Sequence, residues 1–187
     1  FTHLSLEDGL SQSSVQPILQ DSRGFMWFGT QDGLNRYDGY NFVVYRNAPG
    51  DPASLGGNNV RAIIEDPSGF LWIGTSRGIS RFDGNGFRTY DHRPGDSTTL
   101  PADHVTQVYV DRSDVVWAVT ARGLSRYEPA VDRFVVFPRR GAAGWLRLAR
   151  ELRAQRFDLL LLPQVSFKAG LVAALARADV KVGFDRA

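Results

Sequence analysis

Three stretches of this chain carry the same order of apolar and polar positions at a fixed spacing of 45 residues. Leu10, Leu55 and Leu100 align, then Val15, Val60 and Val105, then Asp21, Asp66 and Asp111. Trp27, Trp72 and Trp117 follow, with Thr30, Thr75 and Thr120 and then Gly33, Gly78 and Gly123. Self-similarity at such a period marks a repeat architecture. In the first repeat Val15–Gln20 reads as a strand, and Asp21-Ser-Arg-Gly24 is turn chemistry, since Asp can bond its own backbone and Gly accepts positive φ. Phe25–Thr30 is apolar on both faces, as suits a strand covered on both sides. Turns at Gln31-Asp32-Gly33 and Asp38-Gly39 then set off Leu34–Tyr37 and Asn41–Arg46. Nothing here has a helical period. Four short strands per repeat, apolar on both sheet faces, predict β-propeller blades at about 15–46, 60–90 and 105–137 in a mainly β fold.

The pattern changes near Pro138. Trp145, Leu148, Ala149 and Leu152 fall at helical spacing, and Phe157–Leu162 reads as a buried strand. Ser166 caps a second expected helix, about Phe167 to Arg177, and Val180–Phe184 reads as a second strand. Strand, crossover helix and strand predict a parallel pair, so 144–187 reads as a small αβαβ segment joined through 138–143. Charge changes at the same place. Residues 138–187 hold ten Lys/Arg and four Asp/Glu, a balance of +6, which leaves −4 on the rest of a chain whose net charge is +2. The shift argues for two structural units.

Invariance across internal repeats marks blade construction, because each blade meets the same neighbours. Trp27, Trp72 and Trp117 are therefore expected in the core between blades, with Trp72 the most buried because its blade has a neighbour on each side. Asp21, Asp66 and Asp111 are expected in turns. Arg36, Arg81 and Arg126 need a partner if buried, and an aspartate on an adjacent strand would suffice. Two degraded features mark the third repeat: Asp114 stands where Gly24 and Gly69 do, and Val119 replaces Gly29 and Gly74. It also has a two-residue insertion before Phe134. Function in a propeller usually sits on connecting loops. The long loops at about Asn47–Asn59 and Asp91–His104 place Asn58, Asn59, Asp103 and His104 just before an inner strand, as ligand contacts or as turn caps.

The chain has no cysteine, which removes disulfides, thiolate metal sites and a cysteine nucleophile. His3, His92 and His104 lack metal-ligand spacing, and Gly84-Asn-Gly86 is a hairpin turn rather than a phosphate loop. No catalytic group, metal, cofactor or nucleic-acid partner is expected, and no apolar run approaches the roughly 18 residues of a membrane span. Met26 is the only methionine, so the sequence reads as a piece of a longer chain or one that has lost a leader.

The stretch GLSQSSVQPILQDSRGFMWFGTQDGLNRYDGYNF, with WIGT in the second repeat, closely resembles the two-component regulator propeller repeat over about residues 1–137. That resemblance implies an N-terminal, usually periplasmic, ligand-sensing propeller of a bacterial signalling sensor, with a glycan or other small ligand as its partner. Such propellers have about seven blades. Three repeats instead form an arc with exposed edges, and self-association through them is an expectation. The tail, with RFDLLLLPQ, SFKAGL and KVGFDRA, resembles part of the N-terminal domain of glycosyltransferase family 9. That second resemblance implies a cytoplasmic enzyme fragment with Gln164, Ser166 and Lys168 on the acceptor side. The donor-binding half has no counterpart, so the chain alone is expected to transfer no sugar. A non-functional chimera is the remaining reading.

Overall fold

The computed structural model describes residues 3–96, 98–129, 132–138, 156–162 and 177–183. After a single 3-10 turn at Leu6–Asp8, boxed by Ser5 and Asp8, the chain forms three four-stranded antiparallel meanders. The first is β1 (Ile18–Gln20), β2 (Met26–Thr30), β3 (Gly33–Tyr37) and β4 (Phe42–Tyr45). The second is β5 (Val60–Glu65), β6 (Leu71–Thr75), β7 (Gly78–Phe82) and β8 (Phe87–Tyr90). The third is β9 (Val105–Val110), β10 (Val116–Thr120), β11 (Gly123–Glu128) and β12 (Arg133–Pro138). The register repeats too: Trp27 faces Arg36, Trp72 faces Arg81 and Trp117 faces Arg126. β5 packs on β1 and β2, and β9 on β5 and β6, so successive sheets converge along their first strands. Three blades of an incomplete propeller are therefore present.

β13 (Arg156–Leu162) and β14 (Arg177–Gly183) pair in parallel, as the strand–helix–strand pattern predicts. The two expected helices, the 139–143 part of the junction, and Gln164, Ser166 and Lys168 lie outside the described residues.

Each blade is organised by one aspartate. Asp21 Oδ2 accepts from the Trp27 indole Nε1 at 2.7 Å, while its Oδ1 accepts from the backbone N–H of Arg23 (3.0 Å) and Phe25 (2.9 Å). Asp66 does the same for Trp72, Ser68 and Phe70, and Asp111 for Trp117, Ser113 and Val115. The expected turn residue thus also holds the core tryptophan. Asp114 adopts φ 62° and donates its N–H to Asp111 O at 2.9 Å, as Gly24 and Gly69 do in their turns. The third turn survives its glycine loss because Asp tolerates the left-handed region.

Trp27 and Trp72 lie between successive sheets. Trp27 and Leu34 pack with Leu55, Val60, Leu71, Ile73, Phe82 and Phe87, and Trp72 and Ile79 with Leu100, Val105, Val116, Ala118 and Tyr127. Trp72 is the most buried, at 1% exposure, with Trp27 at 2% and Trp117 at 3%. The arginines differ from expectation. Arg36 and Arg81 sit over the rings of Phe25 and Phe70, each at 4.7 Å, and Arg81 also donates to the Tyr127 hydroxyl at 3.1 Å and lies 4.0 Å from Asp132 of the next blade, not from an aspartate on an adjacent strand. In the third repeat Val115 offers no ring, and Arg126 bonds Glu128 at 3.0 Å instead.

Each blade junction has a polar side-chain fastening. Between blades 1 and 2, Ser22 donates from its N–H and hydroxyl to Glu65 at 2.7 and 2.6 Å. Between blades 2 and 3, the third repeat's insertion places Asp132, at φ 49°, where Tyr90 and Tyr127 donate to its Oδ1 and Arg88 pairs with its Oδ2. Tyr127 stands where Phe82 does in the preceding blade, so the insertion supplies an acceptor for a hydroxyl the other junction lacks. Burial raises the Tyr90 and Tyr127 hydroxyls above their ordinary value, and their bonds to Asp132 add to the shift. Burial opposes ionisation of Asp132, yet the two tyrosine hydroxyls and the charges of Arg88 and Arg81 hold its carboxyl below its ordinary 3.8.

Below its ordinary value the folded carboxyl still binds fewer protons than the unfolded one, so its contribution is complete above about pH 4 and fades as pH falls further. Asp132→Asn keeps a residue that tolerates positive φ and removes the charge. We expect it to cost about 1–2 kcal/mol at pH 7, scaled down because the side chain is a third exposed. Urea denaturation of both proteins across pH should show the gap narrowing below about pH 4; a gap independent of pH contradicts the assignment.

Candidate functional site

The two loops that join successive blades are built to one plan. Asn58 Oδ1 accepts from Asn47 N–H at 2.7 Å, and Asp103 Oδ1 accepts from His92 N–H at the same distance. Asn47 Nδ2 donates to Leu55 O at 2.8 Å, and the His92 ring meets Leu100 O through Nδ1 at 2.6 Å. A carbonyl only accepts, so that contact places the imidazole proton on Nδ1 and leaves Nε2 as the acceptor of the neutral ring. Ser54 Oγ and Thr99 Oγ1 each accept from the residue after the Asn47 or His92 position, both at 3.0 Å. Asp51 and Asp96 each cap a backbone N–H two residues on, at 2.9 Å. Leu55 and Leu100 anchor both loops in the inter-blade cores.

The loop ends are tied to the preceding blade. Gly33 N–H donates to Asn58 O at 2.8 Å and Gly78 N–H to Asp103 O at 2.6 Å. Gly33 and Gly78 take φ of 121° and 101°, and a Cβ at either would sit 2.6 or 2.3 Å from the carbonyl of Tyr45 or Tyr90. Glycine is required there both by conformation and by the close approach.

Between the two loops lies an open cleft of about 380 Å³, floored by Thr89 of β8 and walled by Asn47, Asp51, Ser54, Arg77, Asp91, His92 and Asp103. Three carboxylates and one exposed guanidinium give it a polar, hydrogen-bonding character, and its volume falls in the range of small-ligand sites. Of the four residues the sequence singles out, Asp103 lines this cleft. Asn58 is committed to its loop as a cap, and Asn59 donates nothing to the cleft wall: its carbonyl accepts from Ser76 N–H at 3.1 Å, while its buried Oδ1 has no partner among the described residues. His104 is half-buried beside Val105. Asp51, Arg77, Asp91 and His92 were not singled out, although the 45-residue register already places His92 opposite Asn47. Among the described residues no group of three or more His, Asp or Glu side chains is arranged to hold a metal ion, and no helix is long and apolar enough to cross a membrane.

Residues 9–32 and 54–77 match the family described as two component regulator propeller. A 48-residue stretch is 58% identical to histidine kinase P4 of Formosa agariphila, covering 26% of this chain and 4% of the kinase. The extracellular domain of the hybrid two component system BT3049 from B. thetaiotaomicron superposes with a TM-score of 0.67 at 30% identity, over 73% of this chain and 20% of that domain's chain. A virginiamycin B lyase from Staphylococcus aureus shares the fold, with a TM-score of 0.51, 16% identity, and coverage of 72% of this chain and 44% of that one. This chain therefore spans a small part of the signalling proteins it resembles. None of these relatives is a glycosyltransferase, and the family match lies wholly before the tail, so the second resemblance gains no support.

The loop plan separates caps from cleft residues. Asn58→Ala and Asp103→Ala should each lower unfolding free energy by about 1–2 kcal/mol, because each strands a backbone N–H. His92→Asn should stay within about 0.5 kcal/mol of the parent, since Asn47 performs the same task in the sister loop. Urea unfolding followed by tryptophan fluorescence measures all three; a His92→Asn loss as large as that of Asp103→Ala contradicts the shared plan.

Proposed function

We propose that this chain is part of the extracytoplasmic ligand-sensing propeller of a bacterial two-component sensor, and that the cleft between the 47–59 and 91–104 loops is its ligand site. The observation that carries the reading is the 30% identical superposition on the extracellular domain of a hybrid two component system, together with the family match over two of the three repeats. The ligand is a small polar molecule rich in hydroxyls, a glycan fragment being the fitting class. Asp51, Asp91 and Asp103 offer carboxylate acceptors across the cleft from the donors of Arg77 and Thr89. Asn58, Asn59 and His104, on the same loop ends, shape the wall rather than supply its main contacts. A polar site of this kind recognises hydroxyl patterns through paired donors and acceptors and discriminates strongly against analogues that lack one. The periplasm is the compartment that fits an extracellular sensing domain.

Isothermal titration with a panel of mono- and oligosaccharides tests the assignment. Saturable binding at micromolar to millimolar Kd should weaken at least tenfold in Arg77→Ala and in Asp91→Asn, neither of which caps a loop. Binding that both variants leave unchanged, or no binding across the panel, contradicts the proposed site.

A further inference from the structure

The residue before the third strand and the residue after the fourth meet at the same end of blades 1 and 2. A Cβ built on Gly33 would lie 3.2 Å from Arg46 Cγ, and one on Gly78 3.2 Å from Asp91 Cα, so glycine brings the two positions together in both blades. In blade 1 they are Asp32 and Arg46, which close an ion pair: Arg46 donates from Nη2 and Nε to Asp32 Oδ2 at 2.9 and 3.3 Å. In blade 2 the signs are exchanged, with Arg77 before β7 and Asp91 after β8. In blade 3 Arg122 precedes β11 and Pro138 stands opposite Gly123, so blade construction does not need the pair.

The exchanged pair is open. Among the described residues Arg77 has no ion pair, and Asp91 pairs instead with Arg93 Nε at 3.4 Å. The Arg77 stem lies against the end of the 47–59 loop, where a Cβ on Gly57 would be 3.1 Å from Arg77 Cβ and 3.3 Å from its Cγ. Arg77 and Asp91 both line the cleft between the two loops. Its other carboxylates, Asp51 and Asp103, each spend one oxygen on a loop N–H and keep the second as an acceptor. Arg77 is thus a guanidinium without a counter-ion in the cleft, at the position where blade 1 has a closed pair.

We propose that the cleft takes an acidic saccharide bearing one oxyanion, a carboxylate or a sulfate ester, and that this group fills on Arg77 the place that Asp32 fills on Arg46. The inference rests on the reading of the cleft as a saccharide site and adds the charge of its ligand. The planar guanidinium suits either oxyanion through paired, charge-assisted hydrogen bonds. Asp51 and Asp103 set the limit: their carboxylates repel a second acid group and accept protons from neutral hydroxyls instead. Asp91, balanced by Arg93, is the acceptor beside the oxyanion's site.

Isothermal titration of the full chain with matched sugars tests this: glucose against glucuronate and glucose 6-sulfate, and galactose against galacturonate and galactose 6-sulfate. In at least one series an acidic member should bind about tenfold or more tightly than its neutral parent, and the tighter of the two identifies the oxyanion. Arg77→Gln, at an exposed position, should bring that ratio close to one while the neutral parent's Kd changes little, because Gln keeps an N–H donor for a hydroxyl. Neutral sugars that bind as tightly as both acids, or an acid preference that survives Arg77→Gln, overturn the inference and leave the saccharide site standing. Absence of binding by every sugar, neutral and acidic, overturns both.

Discussion

The bond from an indole N–H to a buried aspartate is the constraint from which the three blades follow. A tryptophan between two sheets contributes the largest apolar surface of any residue, but its N–H must find an acceptor or the burial is penalised by about 1–3 kcal/mol. A carboxylate left alone in that place would be worse. Asp21, Asp66 and Asp111 meet both demands together, because one oxygen takes the indole and the other takes two backbone N–H groups of the turn. The same bonds fix the turn between the first two strands, the register of the second strand and the position of the core ring. A blade with the aspartate but no tryptophan, or the reverse, would leave a buried polar atom unsatisfied.

Around that fixed centre the repeats vary where local chemistry allows. Arg126 exchanges a phenylalanine ring for Glu128, whose extra methylene lets it reach the guanidinium where the matching Asp38 and Asp83 bond their own turns. A change without compensation occurs at Ser125. Its counterparts Asn35 and Ser80 accept from the backbone N–H of Ser11 and Gly56, but the matching residue in the third repeat is Pro101, which has none. Ser125 Oγ is accordingly buried with no partner among the described residues. Variation concentrates in the third repeat.

The repeat register, the four strands per blade and the buried tryptophans were legible because a 45-residue period constrains each position three times over. The loops were legible only in part. Asn58 and Asp103 stand out as polar residues before a strand, but their side chains are turned back onto Asn47 and His92, and sequence cannot tell a cap from a contact when both call for the same residue types. The cleft-lining Asp51, Arg77 and Asp91 are far apart in sequence and meet only because two sister loops and a hairpin converge. The ring contacts of Arg36 and Arg81 were missed for a related reason: an ion pair, such as that of Arg81 with Asp132, is suggested by charge alone, whereas a guanidinium over a ring depends on which residue lies across the strand.

Hydrogen exchange of the indole protons, followed by nitrogen–proton correlation spectra of the labelled chain, tests the role of the aspartates most directly. The chain has four tryptophans, and the indole protons of Trp27, Trp72 and Trp117 should exchange only through unfolding of the blades, each with a rate that follows global stability as urea is added. Exchange of any of these three at the rate of a free indole, in a chain that is otherwise folded, would contradict the account.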